Sequence, residues 1–157
     1  MRLVVISDSH GYNRPAEKAI EAQSEAKHVF FLGDGIEGIK DIADFFPDKI
    51  FHLVSGNCDF SSMEKSTKFD IVSNIGILYC HGHEQGVKSG FGRLQELAKS
   101  YGAKIVLYGH THIPEWKYVD GIYYVNPGSI SGNRTGKSSY AVIDITDNGI
   151  LPIIINC

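Results

Sequence analysis

Short apolar runs recur through the first two thirds of the chain, at residues 3–6, 29–32, 51–54, 75–79 and 105–108. Polar residues scarcely interrupt them, as expected of strands in a sheet covered on both faces. Between the earliest runs the apolar residues fall at helical spacing. They predict helices over 15–27 and 36–46, the first with Pro15 in its opening turn. A third helix is predicted over 91–101. The last third changes character. Runs at 116–119 and 122–125 flank Asp120-Gly121, a two-residue hairpin signal, and runs at 140–145 and 150–155 flank a second candidate turn. Strand–helix alternation followed by strand-rich sequence predicts an α/β layered sandwich with mixed sheets. No repeat, low-complexity tract or linker interrupts the chain, so 1–157 reads as a single domain.

Composition narrows the function. With 43% hydrophobic and 21% charged residues the chain is of globular type. Its net charge of -3 and pI near 6.1 give no basic field for nucleic acid. Any anionic ligand therefore needs a local attraction, and no sequence-specific nucleic-acid partner is expected. The opening MRLVVISDSH has too few apolar residues for a signal-peptide core, and no run approaches the ~18 needed to cross a membrane. Cys58, Cys80 and Cys157 are odd in number and widely spaced, which predicts free thiols and a reducing, cytoplasmic compartment. Asn133-Arg134-Thr135 fits a glycosylation pattern that carries no meaning there.

The polar residues after each apolar run supply the candidate chemistry. The first run leads into Asp8-Ser9-His10, the second into Gly33-Asp34, and the third into Gly56-Asn57-Cys58-Asp59. The fourth leads into His81-Gly82-His83 and the fifth into Gly109-His110-Thr111-His112. Turn chemistry explains Asp8, Asp34 or Asn57 singly. It does not explain five strand ends that each deliver a metal-ligating residue type. In open α/β sheets, sites form outside the carboxyl ends of the strands. His28 and His52 fall inside runs instead and read as strand residues with no role.

Seven side chains could meet there: Asp8, His10, Asp34, Asn57, His81, His110 and His112. That is more than one zinc or manganese ion takes from protein, and enough for two ions at about four ligands each when a carboxylate bridges. Mixed carboxylate, amide and imidazole ligation suits manganese first, with nickel, iron or zinc as alternatives. Two divalent ions outweigh the two carboxylates, and with a bridging hydroxide the site keeps a net charge of about +1. This is the anion attraction that the overall charge lacks.

These motifs, in this order, resemble the calcineurin-like metallophosphoesterases, whose pattern runs D-x-H, G-D, G-N-x-D, H and G-H-x-H. Asn126-Pro127-Gly128-Ser129 is also similar to the small bacterial and archaeal members. The resemblance implies a four-layer α-β-β-α sandwich with mixed sheets. It also implies that Asp8, His10 and His112 hold one ion, Asn57, His81 and His110 the other, and that Asp34 bridges. The implied activity is metal-dependent phosphoester hydrolysis, as a phosphodiesterase acting on a small phosphoester. Asn57, Cys58 and His83 are the further catalytic candidates. Many members carry His where this chain has Cys58, and a thiol is a poor substitute for imidazole as a proton donor at neutral pH. The expectation is leaving-group-sensitive catalysis, with His83 or a water supplying the proton. The alternatives are a phosphomonoesterase, or a non-catalytic protein-binding scaffold like the retromer subunit that resembles this family. Strand-rich edges are compatible with a homo-oligomer.

Residues 132–138 imitate a phosphate-binding P-loop, but have three residues between the glycines where four are needed, and a strand rather than a helix is predicted next. Arg134 or Lys137 could still touch phosphate, as could Asn13-Arg14. Trp116 and its neighbouring tyrosines read as ordinary strand packing.

Overall fold

The chain is described by a computed structural model that covers residues 1–133 and 136–157. Side-chain alternation along its strands builds the layers. In β1 (Arg2–Ile6) and β2 (His28–Phe31), Val4, Ile6, Val29 and Phe31 face one side. They pack against Ala16, Ala19 and Ile20 of α1 (Arg14–Ala22) and Ile36, Ile39 and Ile42 of α2 (Ile36–Ala43). The intervening Leu3, Val5 and Phe30 face the other side. There they meet Ile77 and Tyr79 of β5 (Ile75–Cys80) and Ile105 and Leu107 of β6 (Ile105–Tyr108). Leu78, Val106 and Tyr108 then face a third core under Leu94 and Ala98 of α3 (Gly92–Tyr101). Runs that looked uniformly apolar thus serve two cores each, and the layer order is α-β-β-α. Each fully buried Val, Leu, Ile or Phe contributes about 1.5–3 kcal/mol.

The first sheet runs β10-β9-β1-β2-β3 and the second β4-β5-β6-β8-β7. Here β3 is Ile50–Leu53, β4 Thr67–Val72, β7 Glu115–Val119, β8 Ile122–Asn126, β9 Ser139–Thr146 and β10 Gly149–Asn156. β1, β2 and β3 are parallel, as are β5, β6 and β8, while β9 runs antiparallel to both β1 and β10, β4 to β5 and β7 to β8. The sheets are mixed, as expected. Asp120-Gly121 makes the β7–β8 turn with both φ angles positive, the geometry of a tight hairpin.

Some boundaries differ from the sequence expectation. α1 stops at Ala22, because Lys49 Nζ donates to the carbonyls of Gln23, Ser24 and Ala26 and fixes a turn where more helix was expected. α2 stops at Ala43, ahead of Pro47, whose ring disfavours helix in the residue before it. β4 was not expected at all; its alternating, charged sequence pairs with β5 through a Ser73-Asn74 turn in which both residues have positive φ. Trp116 and Tyr118 lie on the edge strand β7, and both are exposed.

His28 and His52 are strand residues, as expected, but they join a hydrogen-bonded chain. His28 Nδ1 lies 3.0 Å from His52 Nε2, and His52 Nδ1 lies 2.7 Å from Asp70 Oδ2. Tyr79 Oη donates to the same carboxylate at 2.7 Å. This chain ties edge strand β3 of one sheet to β4 and β5 of the other. No helix among the described residues is long and apolar enough to cross a membrane.

Candidate metal centre

The parallel strands of both sheets end at one rim, and the loops leaving them hold the candidate ligands in unusual backbone geometry. Asp8, His10, Asp34, His110 and His112 all have positive φ, between 47° and 68°. The other non-glycine residues with positive φ among the described residues, Ser73, Asn74 and Asp120, sit in hairpin turns. Each such residue costs on the order of 1–3 kcal/mol and persists only where its surroundings hold it, a pattern that concentrates at functional sites. Gly56 permits a close loop approach: a Cβ there would lie 2.1 Å from Asp34 Oδ1.

All seven candidates come together. Asp8 Oδ1 is 3.0 Å from His112 Nε2 and 3.9 Å from His10 Nε2, and the two imidazole nitrogens are 3.4 Å apart. Asp8 Oδ2 instead accepts from Ser7 Oγ and the His110 amide, which aims the other oxygen into the cluster. On the far side His81 Nε2 is 3.1 Å from Asn57 Oδ1, 3.2 Å from His110 Nδ1 and 3.5 Å from Asp34 Oδ2. His81 Nδ1 donates to the Leu32 carbonyl at 2.7 Å, leaving Nε2 with its lone pair toward the cluster. Asp34 belongs to both halves: its carboxylate falls within 4.8 Å of ligand atoms on Asp8 and His81, and likewise of His10 and Cys58.

Burial alone would raise the Asp34 pKa, but the His81 ring and the Cys58 amide outweigh it and hold the carboxyl well below the usual range. His81 is penalised by burial, yet Asp34 and Asp8 push its pKa up. His110 is driven down to about 4 by burial and by His81, with nearby Lys88 adding to the effect, so it presents a neutral ring. Two pairs of imidazole nitrogens face one another with carboxylate and amide oxygens beside them. A proton can serve only one contact in each pair, whereas a cation would serve every donor that faces it. The donor set fits divalent metal ions and requires no thiolate.

The other candidates lie alongside. Cys58 donates its backbone N–H to Asp34 Oδ1 at 2.7 Å, and its thiol, pushed up by burial and by Asp34, stays protonated at neutral pH. The His83 ring stands 5.3 Å from the His81 ring and 6.1 Å from His110, and its Nδ1 is buried without a partner among the described residues. Burial and His81 lower its pKa. Lys137 is exposed in a turn that leads into β9, so no helix follows and the P-loop reading fails as expected. Arg134 lies outside the described residues. Arg14 opens α1 and lines a separate cleft with Tyr12 and Lys18.

Sequence reasoning assigned no part to the residues that hold the loops. The Asp59 carboxylate accepts the amides of Asp34, Gly35, Ile36 and Gly56 at 2.7–3.0 Å, pinning two ligand loops and capping α2 from outside its own sequence. Buried Asn126 donates to the Gly109 carbonyl and to Thr111 Oγ1. Ser129 and Ser131 both donate to the carbonyl of Asp8 at 2.9 Å. Asp59 and the Asn126–Ser129 stretch stood inside the quoted motifs, which was the available signal.

Two clefts flank the cluster. One of about 660 Å³ is lined by His110, His112, Val87, Lys88, Ile113 and Pro114, among others. The second, about 310 Å³, is lined by Gly11, Gly35, Cys58, Asp59 and Phe60 with their neighbours.

Known proteins resemble this chain in sequence and fold. Residues 1–148 match the calcineurin-like phosphoesterase superfamily domain. The phosphodiesterase YfcE of Escherichia coli K12 is 28% identical over 178 aligned positions, covering 98% of this chain and 91% of that protein. A crystal structure from Streptococcus pneumoniae TIGR4, described as a predicted phosphoesterase, superposes with a TM-score of 0.85 at 27% identity, over 98% of this chain and 88% of that one. Vps29 from Entamoeba histolytica, as a single-substitution mutant, shares the fold at 21% identity with a TM-score of 0.77, over 100% and 99% of the two chains. From the extent of the domain match and the ordered site motifs, the chain belongs to the calcineurin-like phosphoesterase superfamily.

Proposed function

We propose that the protein is a metal-dependent phosphodiesterase working through two divalent cations, with manganese the first candidate. Asp8, His10 and His112 would hold one cation, Asn57, His81 and His110 the other, and Asp34 would lie between them. When bound, the cations supply positive charge to the phosphate oxygens and lower the pKa of water so that it attacks phosphorus near neutral pH. The chain's own groups fix the geometry. His81 keeps its lone pair forward through the Leu32 contact, and Ser129 and Ser131 hold the strained Asp8. The protonated Cys58 thiol is a weak acid, and His83 is the nearer imidazole for passing a proton to a leaving group.

The observation that carries the diester reading is the pair of clefts on either side of the ligand cluster. A diester has two ester arms to place, a monoester one. The YfcE relative carries the name phosphodiesterase, which supports the same choice. Seven convergent donors, five of them held at strained backbone positions, favour a catalytic centre over a scaffold. The reading extends to one domain in a cytoplasmic setting.

The test is hydrolysis of bis-p-nitrophenyl phosphate by chelator-stripped protein, with Mn²⁺, Ni²⁺, Zn²⁺ or Mg²⁺ restored. Metal-dependent turnover that disappears in Asp34→Asn and His110→Ala supports the proposal. Folded protein without turnover under any ion sinks it, and p-nitrophenyl phosphate turned over faster than the diester sinks the diester preference.

A further inference from the structure

The larger cleft is much more than a seat for one phosphate. At about 660 Å³ it lies within the range of pockets that take whole small-molecule ligands. It begins at His110 and His112 and runs past Ile113 and Pro114 toward Glu115, with Val87 and Lys88 also lining it. Ile113 is 62% exposed, an apolar surface left uncovered directly after a candidate ligand.

The charges in this cleft are unequally engaged. Glu115 Oε1 accepts from Tyr108 Oη at 2.6 Å, and Oε2 lies 4.0 Å from Lys117 Nζ. The lysine ion pairs among the described residues involve Lys40, Lys68, Lys99 and Lys117; Lys88 is in none of them and lies close enough to His110 to act on its ring. Among the described residues the cleft therefore presents an apolar wall and, in Lys88, a cation outside those ion pairs, beside the proposed phosphate centre.

We infer that this cleft selects phosphodiesters in which one ester arm carries a second anionic group beyond an apolar or planar portion, and that Lys88 is the residue that reads this second charge. This rests on the phosphodiesterase reading above. The apolar portion would lie on Val87, Ile113 and Pro114, and Lys88 would pair with the distal anion. A 3′-phosphorylated nucleoside 5′-diester has this chemistry.

A matched substrate pair tests it. Thymidine 5′-(p-nitrophenyl phosphate) and its 3′-phosphorylated counterpart release the same p-nitrophenolate and differ only in the distal phosphate. Wild-type enzyme should favour the 3′-phosphorylated diester in kcat/KM by about fivefold, expressed in KM, as suits one solvent-accessible ion pair. The preference should shrink with rising ionic strength. It should fall to about one in Lys88→Met and survive in Lys88→Arg. Because the readout is a ratio within one protein preparation, a general loss of activity does not mimic it. A ratio near one in the wild type overturns the inference, as does an unchanged ratio in Lys88→Met, the result if Lys88 touched only the scissile phosphate. Absence of turnover on bis-p-nitrophenyl phosphate as well would remove the diesterase reading itself.

Discussion

Asp59 accepts the backbone amide of Asp34 through one carboxylate oxygen at 2.8 Å, while its other oxygen caps the first turn of α2 through Gly35 and Ile36. The same carboxylate takes the Gly56 amide, so one side chain locks the loop after β2 to the loop after β3. Asp59→Ala strips four amides of their acceptor. It should cost about 2–4 kcal/mol of stability in urea unfolding and weaken metal binding without removing any proposed ligand. Unchanged stability would show that water replaces the carboxylate.

The contact between Gly56 and Asp34 leaves no space for a methyl group. Gly56→Ala should displace Asp34 Oδ1 and lower kcat on bis-p-nitrophenyl phosphate by roughly a hundredfold, the scale of an ångström-sized misplacement at a reacting centre. The circular dichroism spectrum should remain that of the wild type. Activity within twofold of the wild type would mean that Asp34 does not need its present position.

Cys58 carries a thiol whose pKa is raised by burial and by Asp34, so it gives a departing alkoxide little help. Aryl diesters should be cleaved far faster than alkyl diesters. Cys58→His should raise kcat/KM on an alkyl diester by at least about tenfold while moving the aryl diester much less. Equal effects on both substrates would place proton donation elsewhere.

The chain from His28 to Asp70 makes stability depend on pH. Burial, with His52 and Lys27, lowers the His28 pKa; Asp70 is raised by burial but lowered more strongly by Tyr79 and His52. Both groups therefore bind fewer protons folded than unfolded, and stability rises with pH across their windows. As pH falls, the His28 contribution is lost below about 6.5 and that of Asp70 below about 3.9. In metal-free protein the Tm should drop between pH 7 and pH 5, and His28→Asn should flatten that drop. An identical slope in the variant would contradict the assignment.

Much of this was legible in the sequence because the apolar runs and the residues after them obey simple rules. Strand ends carrying Asp, Asn and His converge because parallel strands share a rim, so the seven candidates could be named before their contacts were visible. What escaped depends on distant partners. The early end of α1 is fixed by Lys49, which lies 26 residues beyond Gln23. β4 carries half-buried Lys68 and Asp70 where an apolar run would have marked a strand, and gains its pairing from β5. The parts played by Asp59, Ser129 and Ser131 are hydrogen bonds to backbone groups, which leave no periodic trace. His28 and His52 gain theirs from Asp70, on the opposite sheet.

The two-cation centre is tested most directly by the number of Mn²⁺ ions bound per chain, from equilibrium dialysis with elemental analysis of chelator-stripped protein. The wild type should bind two ions, His10→Ala one and His81→Ala one. A single ion in the wild type, or two retained in both variants, would contradict a two-cation centre built from these seven residues.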